Sequence, residues 1–87
     1  MRIADILIED MIKEKILQKH NIRASEIKNV FIKRPYVLRA HGQRYMAIGY
    51  DTRFVTIIFE MAKTTAYIIT AYPSSETQIR LYKTKVR

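Results

Sequence analysis

The sequence contains no cysteine and no tryptophan, and only two glycines, two prolines and two histidines among its 87 residues. Without cysteine, the chain can form neither a disulfide nor a thiolate metal site. Neither a glycine-rich phosphate loop nor a His, Asp and Glu cluster at metal-ligand spacing occurs in the sequence. We therefore expect no metal and no small-molecule cofactor. These absences disfavour metal-dependent and nucleotide-hydrolysing chemistry.

Long hydrophobic runs are missing as well. The longest uncharged stretch lies around AYIITAYPSS, well short of the about 20 apolar residues that a membrane-spanning helix needs. The N-terminal segment MRIADILIEDMIKEKI carries acids and lysines among its apolar residues, unlike a signal peptide. We therefore predict a single domain over residues 1–87 in the cytoplasm, without a membrane-spanning segment.

Positive charge dominates the sequence and is unevenly placed. The net charge is +8, yet residues 1–18 carry three basic and four acidic side chains, so the rest of the chain carries +9. A basic body of this kind favours a polyanionic partner, either RNA, DNA, an acidic protein or an anionic membrane surface. The alternative is that the charge only keeps the protein soluble.

The first third of the sequence has the periodicity of helices. Ile8, Ile12 and Ile16 recur every four residues, which predicts a helix from about residue 3 to residue 19. Asn21 tolerates the left-handed conformation and is predicted to cap the end of this helix. A second, short helix is predicted to begin at the cap residue Ser25 and to stop before Pro35.

In the rest of the sequence, apolar and polar residues tend to alternate, which is typical of strands. Four strands are predicted: residues 36–39, RYMAIGY, RFVTIIFEM and AYIITAY, with a tight turn at residues 51–52 between the second and third. Ser75 and Gln78 have capping-box spacing, so a last helix is predicted to begin near Ser75. The fold class is therefore α+β: two N-terminal helices, a four-stranded antiparallel meander and a short C-terminal helix, with the helices on one face of the sheet.

The remaining candidates for function are cations, phenols and imidazoles. Cleavage of RNA without a metal needs one group to take the proton of the 2′-hydroxyl, one to stabilise the phosphate and one to protonate the 5′-oxygen. Arginine suits phosphate, and histidine or tyrosine suits proton transfer. The candidates are His20, His41, Arg44, Arg53, Tyr72 and Tyr82. Each also has a structural interpretation, as a helix-end or turn histidine, a solvated strand-end arginine or a half-buried aromatic.

Three segments, taken in order, resemble one known family. KHNI…SEIKNVF, RYMAIGYDTRFVTIIF and YIITAYPSSETQIRLY together resemble the BrnT-type toxins over about residues 19–82. These toxins belong to the RelE-like superfamily of small basic ribonucleases of type II toxin–antitoxin systems. The resemblance implies a RelE-like α+β fold and a metal-independent endoribonuclease that acts on mRNA. It also implies a cognate antitoxin protein as partner and no membrane partner.

The resemblance also implies site residues. The catalytic candidates that it supports are His20, Arg44, Arg53 and Tyr82, and Lys19 is carried over as an RNA-binding candidate. Arg80 and Lys83, which are predicted to be exposed on the last helix, are further RNA-binding candidates. Tyr72 stands where the family pattern has an arginine, and we include it among the catalytic candidates. This departure motivates two alternative functions. One is a non-catalytic basic module of the same fold that binds RNA or the antitoxin, and the other is a purely protein-binding scaffold.

Overall fold

The computed structural model describes residues 2–86, which form five strands and three helices. In chain order these are β1 (Asp5–Leu7), α1 (Asp10–His20), α2 (Ala24–Ile32), β2 (Tyr36–Arg39), β3 (Arg44–Tyr50), β4 (Phe54–Ala62), β5 (Thr65–Pro73) and α3 (Glu76–Lys85). Strands β2 to β5 form the predicted antiparallel meander, and the sheet order is β1-β5-β4-β3-β2. The α+β class is confirmed.

The sheet has one strand more than predicted, because the start of the first predicted helix was wrong. Residues 5–7 form β1, which pairs in parallel with the start of β5. The backbone N–H groups of Ala4 and Asp5 both donate to the carbonyl of Thr64. Only Ile6 of this strand turns inward. Three residues are too few for strand alternation to stand out against the helical spacing of the isoleucines that follow.

The boundaries of the helices follow local chemistry. Asn21 ends α1 in the left-handed conformation, with φ 54°, and its N–H donates to the carbonyl of Leu17, as the sequence predicted. Helix α2 begins one residue before Ser25, and its N-cap is Arg23, without a side-chain cap. It ends at Ile32, before Pro35, as predicted.

The helices lie on both faces of the sheet, so the prediction of a single helical face was wrong for α3. On one face, Phe31 of α2 packs edge-on against Phe59, with ring centroids 5.3 Å apart. Gly49 permits this approach, because a Cβ there would lie 2.6 Å from Cγ1 of Val30. On the opposite face, α3 contacts Thr56 through Gln78. Strand residues an odd number apart face opposite sides, and therefore Thr56 and Phe59 do too.

The buried core lies between the sheet and the first two helices. Its members are apolar residues of α1, α2, the connection between them and strands β3 to β5: Ile16, Ile22, Ile27, Val30, Ala47, Val55, Ile57, Phe59, Ala66, Ile68 and Ala71. Full burial of one large apolar side chain contributes roughly 1.5–3 kcal/mol relative to exposure. This core therefore fixes the relative positions of α1 and β5, whose ends carry the site described below.

The capping box of α3 gives a prediction about stability. The hydroxyl of Ser75 accepts a hydrogen bond from the backbone N–H of Gln78, at 3.2 Å. We expect Ser75→Ala to lower the free energy of unfolding by about 1 kcal/mol, because one N–H of the first turn loses its partner. Ser25→Ala is the matched control, since Ser25 is exposed and is not the N-cap of α2. Urea unfolding of both variants checks this, and equal losses would contradict it.

Candidate functional site

Two candidate residues that are distant in sequence meet at the end of β5. The ring centroids of His20 and Tyr72 lie 6.2 Å apart, with the rings tilted by 54°. Strand β1 pairs only with Thr65–Tyr67, and α1 packs along β5. His20, the last residue of α1, is thereby brought beside Tyr72 near the end of the strand. Both side chains are half-buried, so each can meet a ligand from solvent.

The side-chain amide of Gln78 links α3 to this site. Its Oε1 accepts hydrogen bonds from the backbone N–H of Ser75, at 2.9 Å, and from the hydroxyl of Thr56, at 3.0 Å. Its Nε2 donates to the hydroxyl of Tyr72 at 3.1 Å. An amide oxygen only accepts and an amide nitrogen only donates. The backbone N–H of Ser75 therefore fixes which end of the amide faces Tyr72.

These bonds form a chain with one direction. The hydroxyl of Thr56 donates to Gln78, so in its 2.7 Å contact with the hydroxyl of Ser74 it must accept. Ser74 thus donates to Thr56, Thr56 to Gln78 and Gln78 to Tyr72. The hydroxyl proton of Tyr72 is not used in the chain and is available to a ligand. Aligned hydrogen bonds polarise one another, which strengthens the last donor.

Arg53 lies at the same end of the molecule, in the hairpin loop. The sequence predicted a two-residue turn, but Tyr50 pairs with Phe54, so the loop has three residues and Arg53 precedes β4. Its Nε and Nη2 donate to the two carboxylate oxygens of Glu26, each at 3.0 Å, and Nη2 also donates to the carbonyl of Asn21. Chiefly through the hydrogen bond from Arg53, the pKa of Glu26 lies below its ordinary value.

This ion pair leaves part of the guanidinium available. Within residues 2–86, the two N–H groups on Nη1 of Arg53 form no hydrogen bond, and the side chain is 38% exposed. The bond to Asn21 anchors the residue that follows His20. Arg53 therefore fixes the end of α1 and still presents two donors at the surface.

A second ion pair holds the other side of the hairpin loop. Nζ of Lys33 donates to the carboxylate of Asp51 at 2.9 Å, and the side-chain amide of Asn29 also donates to it, at 3.4 Å. The hydrogen bond from Lys33 is the main cause that lowers the pKa of Asp51. The loop is thus tied to both ends of α2.

Aromatic side chains continue the site along α3. Phe54 packs edge-on against Tyr50 and Tyr82, with centroid distances of 5.0 and 5.4 Å. Nζ of Lys83 lies 5.9 Å from the centroid of Phe54. Tyr50 remains 47% exposed. This aromatic cluster (Tyr50, Phe54 and Tyr82) therefore presents π-faces beside a cation.

The remaining candidates are more dispersed. Lys19 lines a groove beside His20, and Arg80 is exposed on α3. Arg44 pairs with Glu60 at 3.6 Å. Ile48 of β3 pairs with Thr56 of β4, which pairs with Tyr72 of β5. Arg44 lies four residues from Ile48, so it is displaced from Tyr72 by about 13 Å along the strand direction. Its catalytic role stays a prediction, as do the roles of the other site residues.

The sequence pattern did not indicate the contacts of Gln78, Thr56 and Ser74 with the site. The capping-box spacing identified Gln78 only as part of a helix start. A capping box uses only the oxygen of the glutamine side-chain amide, which leaves the nitrogen free to bind another group. That free nitrogen was the one sign in the sequence that Gln78 could contact the site. The partner of that free end depends on the register of β5 against β4, which the sequence does not specify.

The chemistry of this site rests on cations, phenols, an imidazole and an amide. Within residues 2–86, no group of three or more His, Asp or Glu side chains is placed to hold a metal ion. No helix in the same range is long and apolar enough to cross a membrane.

The Brucella abortus ribonuclease toxin BrnT, solved by crystallography at 1.1 Å resolution, is similar to this chain in structure. The TM-score is 0.72, and the match covers 83% of this chain and 97% of the toxin. This chain has a BrnT-like fold. The sequence identity is 19%, so the likeness extends to the fold and not to individual side chains. No protein-family model and no curated protein matches the sequence.

The pair formed by Arg53 and Glu26 gives a prediction about pH within this BrnT-like fold. Because folding lowers the pKa of Glu26 below its ordinary 4.5, the pair stabilises the fold above about pH 4.5 and the contribution is lost as pH falls through the lower, folded value. We expect Glu26→Gln to lower the free energy of unfolding by about 1 kcal/mol at pH 7, and by much less at pH 3.

Urea unfolding at both pH values measures this difference. Glu60→Gln is the control, because its pair with Arg44 is longer, at 3.6 Å, and half exposed on both sides, so we expect almost no change at either pH. A Glu26→Gln effect that is the same at pH 3 and pH 7 would show that the carboxylate charge is not the cause.

Proposed function

We propose that this chain is the toxin of a type II toxin–antitoxin system, a metal-independent endoribonuclease that acts on mRNA in the cytoplasm. The observation that carries the proposal is the hydrogen-bond chain that ends on the hydroxyl of Tyr72 beside the imidazole of His20. The BrnT-like fold supports the same function, since the similar structure is that of a ribonuclease toxin.

In the proposed reaction, His20 takes the proton of a ribose 2′-hydroxyl. The 2′-oxygen then forms a bond to the adjacent phosphorus while the bond from phosphorus to the 5′-oxygen breaks. Tyr72 gives its proton to the departing 5′-oxygen, and exchange with water restores both side chains. The products are a 2′,3′-cyclic phosphate and a free 5′-hydroxyl. Each proton transfer contributes typically 10²–10⁴-fold to the rate.

The geometry supports these roles. A ring separation of 6.2 Å lets the two side chains approach one phosphate from different sides. Because Gln78 donates to the phenol oxygen, the proton of Tyr72 is not engaged by Gln78 and is free for transfer to a ligand. The free donors of Arg53 supply positive charge for the phosphate oxygens at the same end of the molecule.

The neighbouring surface suits single-stranded RNA. Exposed aromatic faces can stack with bases of any sequence, and cations beside them hold the backbone. The aromatic cluster provides such faces, and Lys83 and Arg80 on α3 provide the charge. The net charge of +8 would also attract the acidic surface of an antitoxin, our proposed protein partner.

Cleavage of single-stranded RNA by the purified chain in EDTA tests the proposal. We expect product from the unaltered chain, and at least 10²-fold slower cleavage by His20→Ala and by Tyr72→Phe, because each loses one proton transfer. His41→Ala is the control, since it removes the other histidine, which is exposed near the turn before β3. Failure of the unaltered chain to cleave, or Tyr72→Phe cleaving at the full rate, would refute the proposal.

The role of Gln78 is tested separately. We expect Gln78→Ala to lower kcat roughly tenfold with little change in KM, because Tyr72 loses the neighbour that orients its hydroxyl. Ser75→Ala is the matched control: it also weakens the helix cap but leaves the backbone N–H that fixes the amide. Single-turnover rates of both variants measure the effect. Equal losses would show that Gln78 acts only through the stability of α3.

A second function is favoured by two observations on the same site. Tyr72 stands where the family pattern has an arginine, and Arg53 is held by Glu26, so less positive charge is free to stabilise a scissile phosphate. The corresponding proposal is a non-catalytic module that binds RNA or the antitoxin. Binding of RNA that weakens with salt, with the RNA intact at high protein excess, would identify this function.

A further inference from the structure

A small groove separates α1 from β5 next to His20. Its volume is about 120 Å³, and its lining residues are Ile12, Lys15, Ile16, Lys19, His20, Ile69 and Thr70. The polar groups among these are two ammonium groups, an imidazole and a hydroxyl. Among residues 2–86, no carboxylate lines the groove, so its chemistry favours an anion.

The two lysines of the groove repel each other. Lys15 and Lys19 stand four residues apart on α1, a spacing at which like charges destabilise a helix by roughly 0.2–0.5 kcal/mol. Neither forms an ion pair within the described residues. The neighbours of Lys15 on the same helix face are Met11, Ile12 and Gln18, none of them acidic. An anion between the two ammonium groups would relieve the repulsion.

The size of the groove restricts the anion. Pockets for small organic ligands usually measure about 300–1,000 Å³, several times the volume here. A single phosphate group fits this groove better than a whole nucleotide does. The edge of β5 beside the groove is open to a ligand as well, because β1 pairs with β5 only as far as Tyr67. Beyond that residue, the outer edge of β5 has no strand partner.

We propose that this groove is a subsite for one backbone phosphate of single-stranded RNA, adjacent to the phosphate held between His20 and Tyr72. Lys15 and Lys19 bind its oxygens, and Thr70 donates its hydroxyl. This proposal rests on the proposed function, and it adds Lys15 and Thr70 to the RNA-binding residues.

The placement of the groove agrees with a neighbouring phosphate. Thr70 and Tyr72 lie two residues apart on one face of β5, about 6.6 Å along the strand. His20 lines the groove and also approaches Tyr72. One extended strand of RNA can therefore pass from the groove to the pair of His20 and Tyr72 without a turn.

The first test measures binding and does not depend on cleavage. The affinity for a 2′-deoxy oligonucleotide, which lacks the attacking hydroxyl, is titrated against salt for the unaltered chain and for two variants. We expect Lys15→Ala to reduce the slope of log K against log salt by about 0.7, the value for one lost phosphate contact on a single strand.

Lys13→Ala is the matched control, because Lys13 lies on the same helix, outside the groove, with Glu9 and Asp10 respectively four and three residues before it. We expect it to leave the slope nearly unchanged. Equal slopes for the two variants would overturn the proposal, since the lysine of the groove would then act only through net charge.

The second test locates the phosphate. Once the cleavage position is known, oligonucleotides each carry one uncharged methylphosphonate near it. We expect one flanking position at which the substitution weakens binding to the unaltered chain about tenfold and hardly weakens binding to Lys15→Ala. If no such position exists, the subsite is refuted while the ribonuclease function stands. If no RNA is cleaved but Lys15→Ala still lowers the salt slope, the proposed function fails and the phosphate site remains.

Discussion

The orientation of one side-chain amide connects the architecture of this protein to its candidate chemistry. The oxygen of Gln78 is held by the first turn of α3 and by Thr56 of the sheet, which leaves its nitrogen directed at Tyr72. A motif that normally serves only to start a helix thus also docks that helix on the sheet and donates a hydrogen bond to the phenol oxygen of Tyr72. Because Thr56 is fully buried, breaking this connection would remove one of the two hydrogen-bond partners of its hydroxyl, which costs free energy. The same bonds therefore favour both the packing of α3 and the availability of Tyr72.

On the other side of the site, the position of His20 depends on the shortness of β1 and on the contacts of Arg53. The short β1 leaves the outer edge of the second half of β5 without a strand neighbour, and α1 packs along β5 with His20 at its end. Arg53 then ties the junction after α1 to the hairpin loop, while Lys33 and Asp51 tie the same loop to the end of α2. The hairpin loop is thereby held to α2 by two ion pairs and to the junction after α1 by a hydrogen bond. The pair of Arg53 with Glu26 is not an isolated surface contact, because Arg53 also bonds the carbonyl of Asn21, the residue after His20.

Sequence patterns predicted the larger elements well. The four strands of the meander, the stop before Pro35, the left-handed Asn21 and the capping box all depend on local backbone preferences, which the sequence states directly. The errors have long-range causes. Residues 5–7 form a strand only because Thr65–Tyr67 offer an edge, and α3 lies on the far face because Thr56 and Phe54 face that way. The site was predicted as a set of residue types. The meeting of His20 with Tyr72, and the separation of Arg44 from both, depend on register and helix placement.

The tyrosine at the end of β5 changes how such a site would balance charge. An arginine in that position would stabilise a phosphate directly but would be a poor acid, because its guanidinium does not release its proton in proteins. A tyrosine reverses this, since it can donate a proton but carries no charge. The phosphate must then take its positive charge from other residues, and in our proposal these are Arg53, through its free edge, and the two lysines along α1. The two lysines of α1 and the neutral Tyr72 therefore divide the work in this proposal: α1 supplies positive charge for the phosphate, and β5 supplies the proton for the leaving oxygen.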